Sequence, residues 1–203
     1  MICILGCLDT DEGLIICQEM KEWLDKEHSV FVKHQIPPGT QFEYPAIKCA
    51  IDTAITLDEP VLYLHTKGAG NKIPLNYKQA MMSPEVNYPK EAKPEDCQKI
   101  VRLMWKKEFT GDRLKEYEKV VNTDIPTVAC PFTGKEKITW QNGFIINPIA
   151  AKEIKQTFHF DKNRWYYEQL FVNTSINVIG LVSSNIHVGK NELDMWNLIW
   201  KYF

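Results

Sequence analysis

An α/β fold, one domain with a mostly parallel central sheet flanked by helices, is what the sequence predicts, and three observations carry that prediction. The opening run "MICILGCLD" is apolar without alternation, as suits a strand buried on both faces. Apolar residues at helical spacing follow it directly. The order strand, helix, strand, helix, strand then fills the first third of the chain, the signature of an open parallel sheet.

The elements follow in order. In "EGLIICQEMKEWLDKE" the residues Leu14, Ile15, Cys17, Met20, Trp23 and Leu24 recur with helical period, so a helix succeeds the first strand. "SVFVKHQI" reads as a second strand, closed by Pro37, Pro38 and Gly39. "YPAIKCAIDTAITLDEP" gives a second helix and "VLYLHTKG" a third strand. Residues 71 to 96 carry four prolines and little periodicity, which predicts a long loop or a lid. Helix resumes in "CQKIVRLMWKKEFTGDRLKEYEKVVNT", interrupted near Gly111. "PTVACPF" and "ITWQNGFIINP" are strands, "IAAKEIKQTF" a helix, "RWYYEQLFVNTSINVIG" helical at its start, and "MWNLIWKYF" an aromatic tail suited to a core or dimer face. The chain thus divides into a nucleotide-binding half (1–70), the loop (71–96) and a second half (97–203).

Composition narrows the classes of function. Lys and Arg number 24 against 26 Asp and Glu, a net charge of −2, and the cations are scattered, which argues against nucleic acid as a partner. The six cysteines lie mostly inside apolar runs, with no CxxC pair and no histidine cluster at zinc spacing. They read as core residues of a reducing compartment. With no leader and no apolar run of membrane-spanning length, the expected location is cytoplasmic, with peripheral attachment at the inner face of a membrane left open.

In parallel α/β sheets ligands bind beyond the carboxyl ends of the strands. Those positions are Asp9 to Glu12, Gln35 to Gly39, and His65 to Gly70. In the last set His65, Thr66 and Lys67 offer donors and a positive charge, while Gly68 and Gly70 let backbone N–H groups approach an anion. That is the chemistry of a phosphate or diphosphate site. A strand-to-loop turn with a solvated lysine accounts for the same residues.

"VLYLHTKGAG", "WQNGFIINPIAAKEI" and "NRWYYEQLFVN", in that order, resemble a family of bacterial polysaccharide-associated glycosyltransferases. Its members carry a YLHTKG-like strand end, a tryptophan-bearing helix, a GNFWW-like strand and an RY-x-E-like segment. The likeness runs from about Phe42 to Asn173 and implies the type A glycosyltransferase fold, a nucleotide-sugar donor, a glycan acceptor and a role in surface polysaccharide synthesis. Type A enzymes commonly end the strand before the donor site in Asp-x-Asp, which holds a divalent metal. Here His65-Thr66-Lys67 stands in the corresponding place, so Lys67 is expected to stabilise the charge on the leaving diphosphate that a metal stabilises elsewhere. The reading taken is metal-independent; Mg²⁺ or Mn²⁺ recruited by Asp9, Asp11 or His187 is the alternative.

The likeness also implies contacts to donor sugar and acceptor from Trp140, Gln141, Asn142, Gly143 and Arg164, and a catalytic carboxylate at Glu168. A strand entry with a turn glycine, and a solvated helix glutamate, are the structural readings of the same residues. "NIHVGK" is a shortened echo of a His-x-x-Gly-x-x-Lys element, which brings His187 into the candidate set. Two further functions stay open: a noncatalytic nucleotide- or glycan-binding domain on the same fold, and a phosphate-ester enzyme. The latter lacks P-loop spacing.

Overall fold

The first strand, β1 (Ile2–Leu8), buries Cys3, Leu5 and Cys7 in one cluster of side chains and Ile4 in another. A strand covered on both faces belongs inside a sheet. In the computed structural model of the chain, β1 pairs in parallel with β2 (Ser29–Gln35) on one side and β3 (Val61–His65) on the other. The structure describes residues 1–35, 43–66, 93, 96–133, 137–139, 143–161, 165–183, 197 and 199–202. Most of the loop expected at 71 to 96 lies outside them.

Helix α1 (Asp11–Leu24) starts where Thr10, in extended conformation, accepts the Gly13 N–H at 3.1 Å, with Asp11 and Glu12 in the first turn. A cap and early acids are what a helix N-terminus favours. "DTD" therefore has a local explanation. Gly13 is required for a different reason: a Cβ there would lie 2.1 Å from the Leu8 carbonyl oxygen, so only glycine lets the helix start this close to the strand. Helix α2 (Tyr44–Leu57) has proline in its first turn and closes at Asp58, whose φ of 53° is left-handed. Its stripe Ala46, Ala50 and Ala54 is fully buried, small enough to lie close on the sheet.

The second half adds α3 (Asp96–Glu108), α4 (Gly111–Val121), β4 (Thr127–Phe132), β5 (Phe144–Ile146), α5 (Pro148–Lys155), α6 (Trp165–Glu168), β6 (Asn177–Ser183) and a final turn at Trp200–Tyr202. The helix break expected near Gly111 is there, and Gly111 takes φ +59°. The strand order is β2-β1-β3-β5-β4-β6, with β5 antiparallel to both neighbours and the other five strands running one way. This is an α/β domain with a mostly parallel, mixed sheet. Side chains of α1, α3 and α4 cover one face; those of α2, α5 and α6 cover the other.

The sheet differs from expectation in two places. The strand predicted across 138–148 is only three residues long, and Asn177–Ser183, whose period says little, pairs with β4 as an edge strand. Within the second half, Asn147 ties the entry of β4 to the start of α5. Its Oδ1 accepts from the Thr127 and Ala150 amides at 3.1 and 2.9 Å, and its Nδ2 donates to the Ile125 carbonyl at 2.8 Å.

Candidate functional site

From β1 the chain passes through α1 to β2 on one flank, then through α2 to β3 on the other. Such a reversal parts the connections and leaves a crevice at the carboxyl ends of the two central strands, the usual ligand position in open α/β sheets. Asp9 is exposed just past the end of β1; His65 ends β3 and the buried Thr66 follows it.

Thr66 fastens the two ends together. Its Oγ1 accepts the Leu8 N–H at 3.0 Å and its own N–H donates to the Gly6 carbonyl at 2.8 Å. The threonine is 5% exposed, so its side-chain oxygen serves the fold at this junction. His65, one residue earlier, is at the rim. Its Nε2 lies 3.6 Å from Glu43 Oε1, the two side chains being 12% and 21% exposed. Glu43 is the residue before α2, and the hydroxyl of Tyr63 donates to its other oxygen at 3.2 Å.

Aromatic rings back this pair. Tyr63 lies nearly parallel to the His65 ring, at 11° and 6.1 Å, while Trp105 of α3 meets it edge-on at 5.5 Å. Trp105 is fully buried, and its indole N–H has no hydrogen-bond partner among the described residues. Gly143, at the entry to β5, explains how the ring fits: a Cβ there would come within 2.6 Å of Trp105 Nε1 and 3.0 Å of a Leu64 methyl. Its observed role is therefore to admit the indole.

Glu168 ends α6 with 5% exposure, and its carbonyl accepts from the Thr139 N–H at 2.9 Å. Thr139 bridges to Thr133, just past the end of β4, so Glu168 belongs to the same edge of the sheet as His65. Tyr167 beside Glu168 is held un-ionised: burial, with the charges of Asp161 and Glu43 adding to it, pushes its phenol up to about 12.

The thiols next to this edge are not activated. Burial, then the hydrogen bond with Cys17, pushes the Cys7 thiol up to about 12, so it remains protonated. Cys3, Cys7, Cys17 and Cys130 are buried free cysteines. Among the described residues no group of three or more His, Cys, Asp or Glu side chains is arranged to hold a metal ion.

The structure thus brings Asp9, His65, Thr66, Gly143 and Glu168 to one edge. Lys67, Gly68, Trp140, Gln141, Asn142, Arg164 and His187 lie outside the described residues. Glu43 and Trp105 are the additions that reading strand ends does not reach. Glu43 lies beyond the proline-rich exit of the second strand, and only its position just before "YPAIKC", where a helix must begin at that edge, signals it.

Fold and crevice together define a class: an open-sheet α/β protein whose carboxyl edge gathers a histidine and carboxylates around the β1/β3 junction. No family model, curated protein or solved structure matches the chain. No described helix is long and apolar enough to cross a membrane.

Proposed function

We propose that the chain is a glycosyltransferase that moves a sugar from a nucleotide-diphosphate donor to a glycan acceptor, in the synthesis of surface polysaccharide at the cytoplasmic side of the membrane. The observation that carries this reading is the tie of Thr66 to β1, which sets His65 and Thr66 at the β1/β3 junction, where diphosphates are held in open α/β sheets. The motif likeness supplies the choice of sugar nucleotide. In this reading Lys67 faces the diphosphate, His65 with Glu43 behind it orders the donor, and Glu168 takes the acceptor proton.

The experiment is a melting screen with UDP-, GDP-, TDP- and CMP-sugars, followed by assay of free nucleotide released. One donor should raise the melting temperature, since a ligand that binds only the folded state stabilises it by mass action. Lys67→Ala should weaken that donor tenfold to a hundredfold, as expected for loss of a charge-assisted hydrogen bond of about 1.5–3 kcal/mol. Turnover should survive EDTA. Failure of every donor would remove the reading. One observation favours the noncatalytic alternative: Glu168 is 5% exposed, and a general base must reach an acceptor hydroxyl. Donor binding without nucleotide release would select it.

A further inference from the structure

On the sheet face that α2 covers, a groove of about 670 Å³ runs between α2 and the edge strand β2. We propose that it binds an amphiphile with a hydrocarbon tail and an anionic head, such as a fatty acyl carboxylate. Its volume falls within the roughly 300–1,000 Å³ of small-molecule sites. The apolar lining comes from Ile2, Ile4, Phe31 and Leu57. Phe31 and Leu57 are 57% and 49% exposed, a large apolar area for two side chains that share a concave surface. A tail laid along the groove covers both.

The head group follows from the charges. Asp52 is the acid of the lining, and it is already engaged by two cations, Lys48 at 2.5 Å and Lys155 at 2.8 Å. Lys33, on the same face of the sheet as Phe31 and Ile4, carries no ion pair among the described residues. The lining therefore holds two lysines, Lys33 and Lys48, and one carboxylate that a third lysine, Lys155, also pairs with. The excess is positive and adjoins an apolar floor, which complements an acyl anion and opposes a cationic amphiphile of equal length.

The test uses the whole chain, dodecanoate and dodecyltrimethylammonium below their micellar concentrations, and titration calorimetry. Saturable binding of one dodecanoate per chain is expected, with the cationic amphiphile at least tenfold weaker. Lys33→Gln should weaken dodecanoate about fivefold, the effect of one exposed charge pair. Thr53→Trp, which fills the groove, should abolish binding. A nitroxide-labelled dodecanoate should broaden the amide signals of Phe31, Lys33 and Cys49, a readout that does not depend on Thr53→Trp folding. Equal binding of the two head groups, retention by a folded Thr53→Trp variant, or broadening elsewhere would overturn the proposal. So would sedimentation as a dimer that Phe31→Asp dissociates, because the groove would then be covered by a second copy.

Discussion

Two carboxylates, Glu108 buried and Glu43 half-buried, are treated in opposite ways. Glu108, at the end of α3, accepts from Arg113 through Nε at 3.1 Å and Nη2 at 2.6 Å, from the Tyr117 hydroxyl at 3.0 Å and from the Tyr202 hydroxyl at 2.7 Å. Lys107 stands over the Tyr202 ring at 5.2 Å. That network is closed, and it pins the end of the chain to α3 and α4. At the crevice, Glu43 and His65 are 3.6 Å apart, beyond a good hydrogen bond, and the indole N–H of Trp105 beside them is unmet among the described residues. A satisfied buried network rigidifies, whereas a buried indole N–H with no partner among the described residues is a donor that a ligand can meet. The difference teaches which carboxylate to remove to unfold the protein and which to remove to silence it.

The largest effect should come from Glu108→Ala. It strands the Tyr117 and Tyr202 phenols and removes the buried partner of Arg113, which is itself 35% exposed and keeps Glu116. The loss is therefore expected near the lower end of the range, about 3–5 kcal/mol, that breaking a buried charge pair costs. Urea unfolding should register that loss. A change under about 1 kcal/mol would mean that the cluster is solvated and the contrast with the crevice false.

Gly143→Ala should follow, at about 1–3 kcal/mol, because the new methyl must displace the buried Trp105 ring. Tryptophan fluorescence should shift along with the melting temperature. Unaltered emission would show that the indole is not seated on Gly143.

A smaller effect is set by pH. Burial pushes the imidazole of His28 below its ordinary 6.5, outweighing the hydrogen bond between Nε2 and the Phe109 carbonyl at 2.8 Å. The unfolded chain therefore binds the proton more readily than the folded one. Stability should be full above about pH 6.5 and fall as pH drops below it, by about 1.4 kcal/mol per unit of depression. The stability-versus-pH slope of His28→Gln, measured between pH 7 and 5, should be shallower. Identical slopes would assign the acid loss to other groups.

The smallest change in stability is expected for Glu43→Gln, under about 1 kcal/mol, since the side chain is 21% exposed and glutamine keeps an acceptor for the Tyr63 hydroxyl. Donor affinity should nonetheless drop in the melting screen. A stability loss as great as that of Glu108→Ala would make Glu43 a structural residue and remove the distinction.

Much of this was legible from local pattern. The uninterrupted apolar run of β1, the cap at Thr10 and the break at Gly111 are each decided by neighbours a few residues away, so short-range periodicity and backbone chemistry sufficed. The carboxyl-edge rule then pointed to His65 and Thr66 without any coordinates. What local pattern could not supply was partnership. Three residues of β5 are too few to show a period, and their antiparallel insertion between β3 and β4 depends on register across some eighty positions of chain. Glu43 meets Tyr63 and His65 only because α2 lies back across β1 and β3, and Glu108, Arg113, Tyr117 and Tyr202 converge only when the last turn docks on α3. Elements arise from short-range sterics and burial pattern; pairings between elements are chosen by the packing of the whole domain, and the crevice is made of such pairings.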